Sequence, residues 1–175
     1  ETLAESYLFG TEKGSFTGAE TKQGLFLAAD GSTVFLDEME CLSLTVQAKL
    51  LHVLETKEFY PVGSMIPKKT DFRLICASNE NLKERIEKKL FRRDLYYRLD
   101  VLRYEIPPLR KRKEDIELLV DFYLKKIGKT ISPHAMEKLY CNNWNGNIRE
   151  LLNCLNRASC KAFGSNIITQ MHIEF

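Results

Sequence analysis

Two short apolar runs stand out against an otherwise mixed pattern. They are Thr33-Val34-Phe35-Leu36, launched by the turn Asp30-Gly31-Ser32, and Phe72-Arg73-Leu74-Ile75-Cys76-Ala77. Runs this short and this apolar predict fully buried strands of a parallel sheet. Between them Ser43 is placed to cap a helix whose apolar residues Val46, Leu50, Val53 and Leu54 share one face. Strand, helix, strand is a βαβ unit, which sets an α/β class for residues 1–107. The stretch Pro61 to Lys69 reads as an exposed loop or hairpin. Beyond Ile106-Pro107-Pro108-Leu109 the period changes to that of helices. Ile116, Leu119, Val120, Tyr123, Leu124 and Ile127 trace one face, ended by Gly128. Ser132-Pro133 supplies an N-cap and an N1 proline for a helix burying Met136, Leu139 and Tyr140. A last helix starts near Asn147 and buries Ile148, Leu151, Leu152 and Leu155. Residues 108–175 therefore read as a small all-helical part.

Composition narrows the function classes. With 44% hydrophobic and 29% charged residues, the 175-residue chain is ordinary for a globular protein. A formal net charge of +2 makes no global case for nucleic acid or an anionic membrane. No apolar run approaches the roughly 20 residues that span a bilayer, so no membrane role is expected. Five cysteines without a CxxC pair suggest reduced thiols and a cytoplasmic location. Cys76 reads as a small core residue. The chain opens at Glu1, and Ser6-Tyr7-Leu8-Phe9 reads like the middle of an element, so a longer parent is expected.

Candidate chemistry gathers at the carboxyl ends of the strands, where ligands bind in open α/β sheets. The first strand runs straight into Asp37-Glu38. An apolar strand ending in an acidic pair is the Walker B arrangement, in which Asp37 holds Mg²⁺ through water and Glu38 orients or deprotonates an attacking water. The competing reading is an acidic cap for the following helix. The second strand ends in Ser78-Asn79. Its amide suits holding the same water or sensing a γ-phosphate, although an Asx-turn would also use it. Arg92 and Arg98, in Phe91 to Leu99, are candidate arginine fingers for a neighbouring subunit's nucleotide; a solvated basic face is the alternative. Arg149 lies in the first turn of the last helix, where a cation opposes the helix dipole unless a phosphate accompanies it. No GxxxxGK[ST] occurs anywhere.

Gly14-Ser15-Phe16-Thr17-Gly18-Ala19 adds a different kind of signal. Two glycines four apart let the backbone bend sharply, so Phe16 can ride on a loop tip and grip a partner. The other reading is a plain turn whose Phe folds onto the core.

Taken in order, these segments resemble the central AAA+ ATPase domain of bacterial enhancer-binding transcription activators, which act on RNA polymerase carrying sigma-54. The resemblance runs through Glu5 to Gly10, the hexapeptide, Phe35 to Glu38, Gln47 to Leu51, Arg73 to Ile75, Phe91 to Leu99, Ile106 to Arg110 and Trp144 to Leu151. It implies a partial AAA+ P-loop NTPase-like parallel sheet with flanking helices, followed by a helical lid. It also implies ATP and Mg²⁺ bound between the subunits of a homo-oligomeric ring, usually a hexamer. Asp37 and Glu38 match the Walker B acids, Asn79 sensor I, Arg92 and Arg98 the trans-acting fingers, and Arg149 sensor II. Gly14, Ser15, Phe16, Thr17, Gly18 and Ala19 match the loop that rises on ATP binding and presses against sigma-54. The loop at 62–69 matches a second insertion that moves with it. DNA contact would come through a helix-turn-helix domain outside these residues.

Departures are visible. Ser15 replaces the family's usual Ala, Arg93 stands where Glu is usual, Lys89 where Gly is common, and Asn145 where Pro is frequent. In this family the Walker A loop and two core strands lie upstream of the position of Glu1. The 175 residues alone are therefore expected to bind no nucleotide and to leave an unpaired sheet edge. Two other classes stay in view. One is a non-catalytic interaction module for the sigma factor or other subunits. The other is a DNA-binding module using Arg110 to Lys113 and the basic stretch 83–93.

Overall fold

The computed structural model describes residues 2–14 and 20–175. It divides into two units, Glu1–Arg103 and Tyr104–Phe175, each with its own core.

In the first unit α1 (Thr2–Phe9) runs into a two-stranded antiparallel ribbon of β1 (Gly10–Thr11) and β2 (Lys22–Gln23). The ribbon needs glycine where it meets α2 (Leu25–Ala28). A Cβ on Gly24 would lie 2.3 Å from the Gly10 nitrogen, and one on Gly10 would lie 2.5 Å from the Lys22 carbonyl oxygen. Gly10 also has φ +81°, a backbone conformation natural only to glycine.

β3 (Thr33–Leu36) then pairs in parallel with β6 (Arg73–Cys76), in register from Thr33 opposite Arg73 to Leu36 opposite Cys76. Between them lies α3 (Leu44–Thr56), capped by the Ser43 hydroxyl, which accepts the Val46 N–H at 3.3 Å. Its Val46, Leu50 and Val53 are buried, as the helical period predicts. β4 (Glu58–Phe59) and β5 (Lys68–Lys69) make an antiparallel hairpin, which resolves the reading of residues 61–69. α4 (Leu82–Glu87) and α5 (Arg93–Leu99) complete the unit. Phe26 centres the core, stacked on Phe72 at 4.9 Å and edge-on to Phe9 at 5.3 Å.

One expectation fails here. β3 and β6 are not fully buried strands: side chains alternate across a sheet, and only the face carrying Val34 is packed into the core. On the other face the register partners Phe35 and Ile75 stay 59% and 42% exposed. Full burial of parallel strands requires cover on both faces, and the described residues supply it on one. Cys76, at the end of β6, is half-buried, and burial pushes its thiol up to about 11.

The second unit holds α6 (Asp115–Lys126), α7 (Pro133–Cys141) and α8 (Asn147–Lys161). Ser132 caps α7 with Pro133 at N1, and Gly128 takes φ +68° after α6, as their residue types predict. The unit is not all-helical, however. β7 (Thr130–Ile131) and β8 (Ile167–Ile168) pair in parallel, with the Thr130 N–H donating to Asn166 at 2.8 Å and the Ser132 N–H to Ile168 at 2.9 Å. Two-residue strands are too short for alternation to be read from the sequence. Trp144, buried in the same core, donates its indole N–H to the Leu139 carbonyl at 2.8 Å.

Candidate functional site

The parallel register brings the ends of β3 and β6 side by side, and two backbone bonds carry the pairing past the last ladder pair. The Ala77 N–H donates to Leu36 at 2.8 Å and the Met39 N–H to Ala77 at 3.1 Å. Asp37-Glu38 and Ser78-Asn79 therefore follow adjoining strand ends. Asp37, Glu38 and Asn79 are all exposed. Asp37 Oδ1 accepts the Glu38 N–H at 2.8 Å, a local bond that aims the first carboxylate. Glu38 holds a left-handed backbone, φ 52° and ψ 47°. For a residue with a Cβ that costs roughly 1–3 kcal/mol, and such strain concentrates at functional turns. The Cys41 thiol lies 4.0 Å from Glu38 Oε2. The acids do not cap α3; Ser43 does. Glu38 stands at the N-cap position of the 3₁₀ turn Met39–Cys41 but makes no side-chain capping bond there.

A third acid, which sequence patterning did not single out, lies behind this pair. Glu40 is 5% exposed. Its Oε2 accepts the Ser78 hydroxyl at 2.6 Å and its Oε1 the Asn79 N–H at 3.2 Å. Burial alone would raise its carboxyl. The Ser78 hydroxyl, nearby backbone N–H groups and the Arg85 charge outweigh that and hold it below the usual glutamate range.

The finger candidates sit on one short helix. Arg92 is the N-cap residue of α5 and grips Asp94 through Nε at 3.0 Å and Nη2 at 2.7 Å. That hydrogen bonding to Asp94 raises the Arg92 pKa further and lowers that of Asp94. Arg98, in the last turn, donates from Nη2 to the Leu54 carbonyl at 2.9 Å. Buried Gln47 on α3 accepts the Arg92 backbone N–H at 2.9 Å. Both arginines are exposed, and each side chain has one intrachain partner. In the basic stretch preceding them, Arg85 is paired with Glu80 at 2.9 Å.

Of the hexapeptide only Gly14 falls among the described residues, with φ +86°. Ser15, Phe16, Thr17, Gly18 and Ala19 lie outside them. The ribbon that leads to them is well tied. Thr11, 4% exposed, donates its hydroxyl to the Glu20 carbonyl at 2.7 Å. The Glu12 N–H donates to Val62 at 3.0 Å and the Val62 N–H to Gly10 at 2.9 Å. The foot of the hexapeptide is thus bonded to the foot of the 62–69 loop. Arg149 belongs to the second unit, as an exposed third residue of α8. Its neighbour Glu150 accepts the Gly146 N–H at 2.7 Å.

Asp37 and Glu38 offer exposed hard oxygens, and no cluster of three or more His, Cys, Asp or Glu able to hold a metal occurs among the described residues. Mg²⁺ is ordinarily held by one or two carboxylates plus water and substrate phosphates, and Asp37 and Glu38 are carboxylates of that kind.

Known proteins match this arrangement. The family model described as the sigma-54 interaction domain covers residues 1–105, and the AAA+ ATPase lid domain covers residues 110–175. The nitrogen fixation protein AnfA of Azotobacter vinelandii is 49% identical over 166 residues, covering 90% of this chain and 31% of that protein. The regulatory protein AtoC of Escherichia coli K12 is 44% identical over 178 residues, covering 97% of this chain and 39% of that protein. Crystalline NtrX from Brucella abortus in complex with ATP superposes with a TM-score of 0.87 at 33% identity, covering 99% of this chain and 41% of that one. The chain spans about a third of the length of the curated relatives it matches. Its mixed α/β unit and mainly helical second unit have the AAA+ P-loop NTPase-like architecture with its lid. On this evidence the chain belongs to the sigma-54 interaction domain family.

Proposed function

We propose that this chain is the hydrolytic and effector part of a sigma-54-dependent transcription activator, a cytoplasmic ring-forming ATPase that remodels polymerase at promoters. The observation that carries the reading is that Asp37-Glu38 and Ser78-Asn79 follow the adjoining carboxyl ends of two paired parallel strands, within a chain of this family.

The geometry supports the following roles. Asp37 presents a carboxylate steadied by the Glu38 N–H, suited to hold a hydrated Mg²⁺. When bound, that ion neutralises charge on the phosphates. Glu38, turned out of the strand line by its left-handed backbone, accepts a proton from the attacking water. The Asn79 amide orients that water or senses the terminal phosphate. Arg92 leaves Asp94, and Arg98 the neutral Leu54 carbonyl, to reach a neighbouring subunit's phosphates; for Arg92 that exchanges one anionic partner for another. Arg149, exposed in the first turn of α8, is read as the sensor II arginine. Residues 14–19 bear on sigma-54, and their foot carries the motion of the 62–69 loop through the Glu12–Val62 bonds. The phosphate-cradling loop and the DNA-binding domain belong to the parent outside these residues.

The test is ATP turnover and open-complex formation by the full-length protein with sigma-54 polymerase. Asp37→Ala and Glu38→Gln each abolish turnover on this reading. Phe16→Ala abolishes open-complex formation while turnover persists. Undiminished turnover in Glu38→Gln would overturn the assignment.

A further inference from the structure

We infer that Glu40 is a positioning residue, which locks the Asn79 end of β6 to the acidic turn after β3 so that both move as one body. The inference rests on the ATPase reading above and deepens it.

Glu40 reaches across the two strand ends with both of its oxygens. Oε2 takes the Ser78 hydroxyl at 2.6 Å, and Oε1 takes the Asn79 N–H at 3.2 Å, from residues 38 and 39 positions away. The Ser78 bond is short, as expected for a hydroxyl donating to an ionised carboxylate. Ser78 is itself fixed, because its Oγ accepts the Glu80 N–H at 3.3 Å. The backbone bond from Met39 to Ala77 adds a rung just before this pair. β3 and β6 are therefore joined beyond Leu36 and Cys76, through the residues that carry the candidate chemistry.

The strained turn explains how Glu40 arrives there. A left-handed Glu38 starts the 3₁₀ turn Met39–Cys41, and that turn buries Met39 and Glu40 while leaving Asp37 and Glu38 outside. One backbone reversal thus sets the reacting carboxylates outward and the clamping carboxylate inward. A buried carboxylate with no partner would be costly, so the strand ends cannot separate without exposing or orphaning it. The clamp fixes the spacing between Glu38 and Asn79, which must hold one water between them.

Reacting groups displaced by about 1 Å lose on the order of a hundredfold in rate. In the full-length protein Glu40→Ala and Ser78→Ala should therefore lower kcat for ATP hydrolysis at least about tenfold. KM and nucleotide affinity should change by less than about twofold, since Glu40 touches no substrate. Glu40→Gln keeps an acceptor for the Asn79 N–H and should recover part of kcat. The double variant Glu40→Ala/Ser78→Ala should cost no more than the worse single one. Circular dichroism and melting controls separate this split from unfolding, which lowers active fraction without sparing one constant. An active wild type, a dead Glu38→Gln and wild-type kcat in both Glu40→Ala and Ser78→Ala would overturn the clamp alone. Turnover that survives in Glu38→Gln would overturn the ATPase reading and the clamp with it.

Discussion

The side chain of Gln47 holds the backbone of Arg92: Gln47 Oε1 accepts the Arg92 N–H at 2.9 Å. Its Nε2 donates to the Leu42 carbonyl at 2.8 Å and the Leu90 carbonyl at 3.2 Å. Gln47 has no solvent exposure, so one amide joins the segment after the acidic turn to the start of α5. Gln47→Leu leaves one N–H and two carbonyls without partners. Each orphaned buried group costs about 1–3 kcal/mol, and the expected loss is at least about 2 kcal/mol by urea unfolding. Gln47→Glu keeps the acceptor but faces two carbonyls with no donor, and should fare no better.

Much of this arrangement could be read from residue order, because local rules are strong where the signal is local. Ser43, Ser132 and Pro133 announced their helices, and Val34-Phe35-Leu36-Asp37-Glu38 announced a strand that ends in acids. What escaped was long-range. Glu40 looks like one more acid after Asp37-Glu38, and its partners stand nearly forty residues on. The exposure of Phe35 and Ile75 also has no local sign: an apolar residue reads the same whether its face of the sheet is covered or open. The ribbon of β1 and β2 and the pair β7 and β8 are two residues per strand, below any readable period.

Arg92 and Arg98 should separate function from stability. The Arg92–Asp94 pair is substantially exposed on both sides, and exposed pairs contribute about 0–1 kcal/mol. Arg92→Ala should therefore shift the melting temperature little. If Arg92 acts on a neighbouring subunit's nucleotide, the same change should cut ATP turnover about a thousandfold or more. A turnover loss no larger than the stability loss would return Arg92 to a structural role.

Gly24 and Gly14 make a contrasting pair. Gly24→Ala drives a Cβ to within 2.3 Å of backbone nitrogen, where nothing flexible can give way. Gly14→Ala meets no atom of the described residues within 4 Å, and its φ of +86° costs an L-residue about 1–2 kcal/mol. The Gly24 variant should be clearly the less stable of the two in urea titrations. Equal midpoints would mean that the β1–β2 ribbon yields where the close approach says it cannot.

The cysteines should alkylate in two classes. Cys41, Cys141 and Cys160 are exposed, whereas Cys76 is half-buried with its thiol pushed up to about 11. At pH 8 a thiol of that pKa is about one part in a thousand thiolate. Iodoacetamide followed by mass mapping should modify the three exposed thiols well before Cys76. Early labelling of Cys76 would show that the end of β6 opens readily in solution.

Glu40 gives the protein a defined response to acid. Its folded carboxyl is held below the ordinary range: burial opposes ionisation, but the Ser78 hydroxyl, the backbone N–H groups and Arg85 together outweigh burial. A carboxyl with a depressed folded pKa contributes stability that is fully present above its unfolded pKa, about 4.3. That contribution fades as pH falls below that value and through the depressed folded pKa. Glu40→Gln carries no charge at any pH and lacks this dependence. Urea midpoints of wild type and Glu40→Gln should therefore stand furthest apart near neutral pH and converge in acid. A gap that is constant from pH 7 to about pH 3 would mean that the Ser78 and Asn79 bonds hold the side chain equally well without its charge.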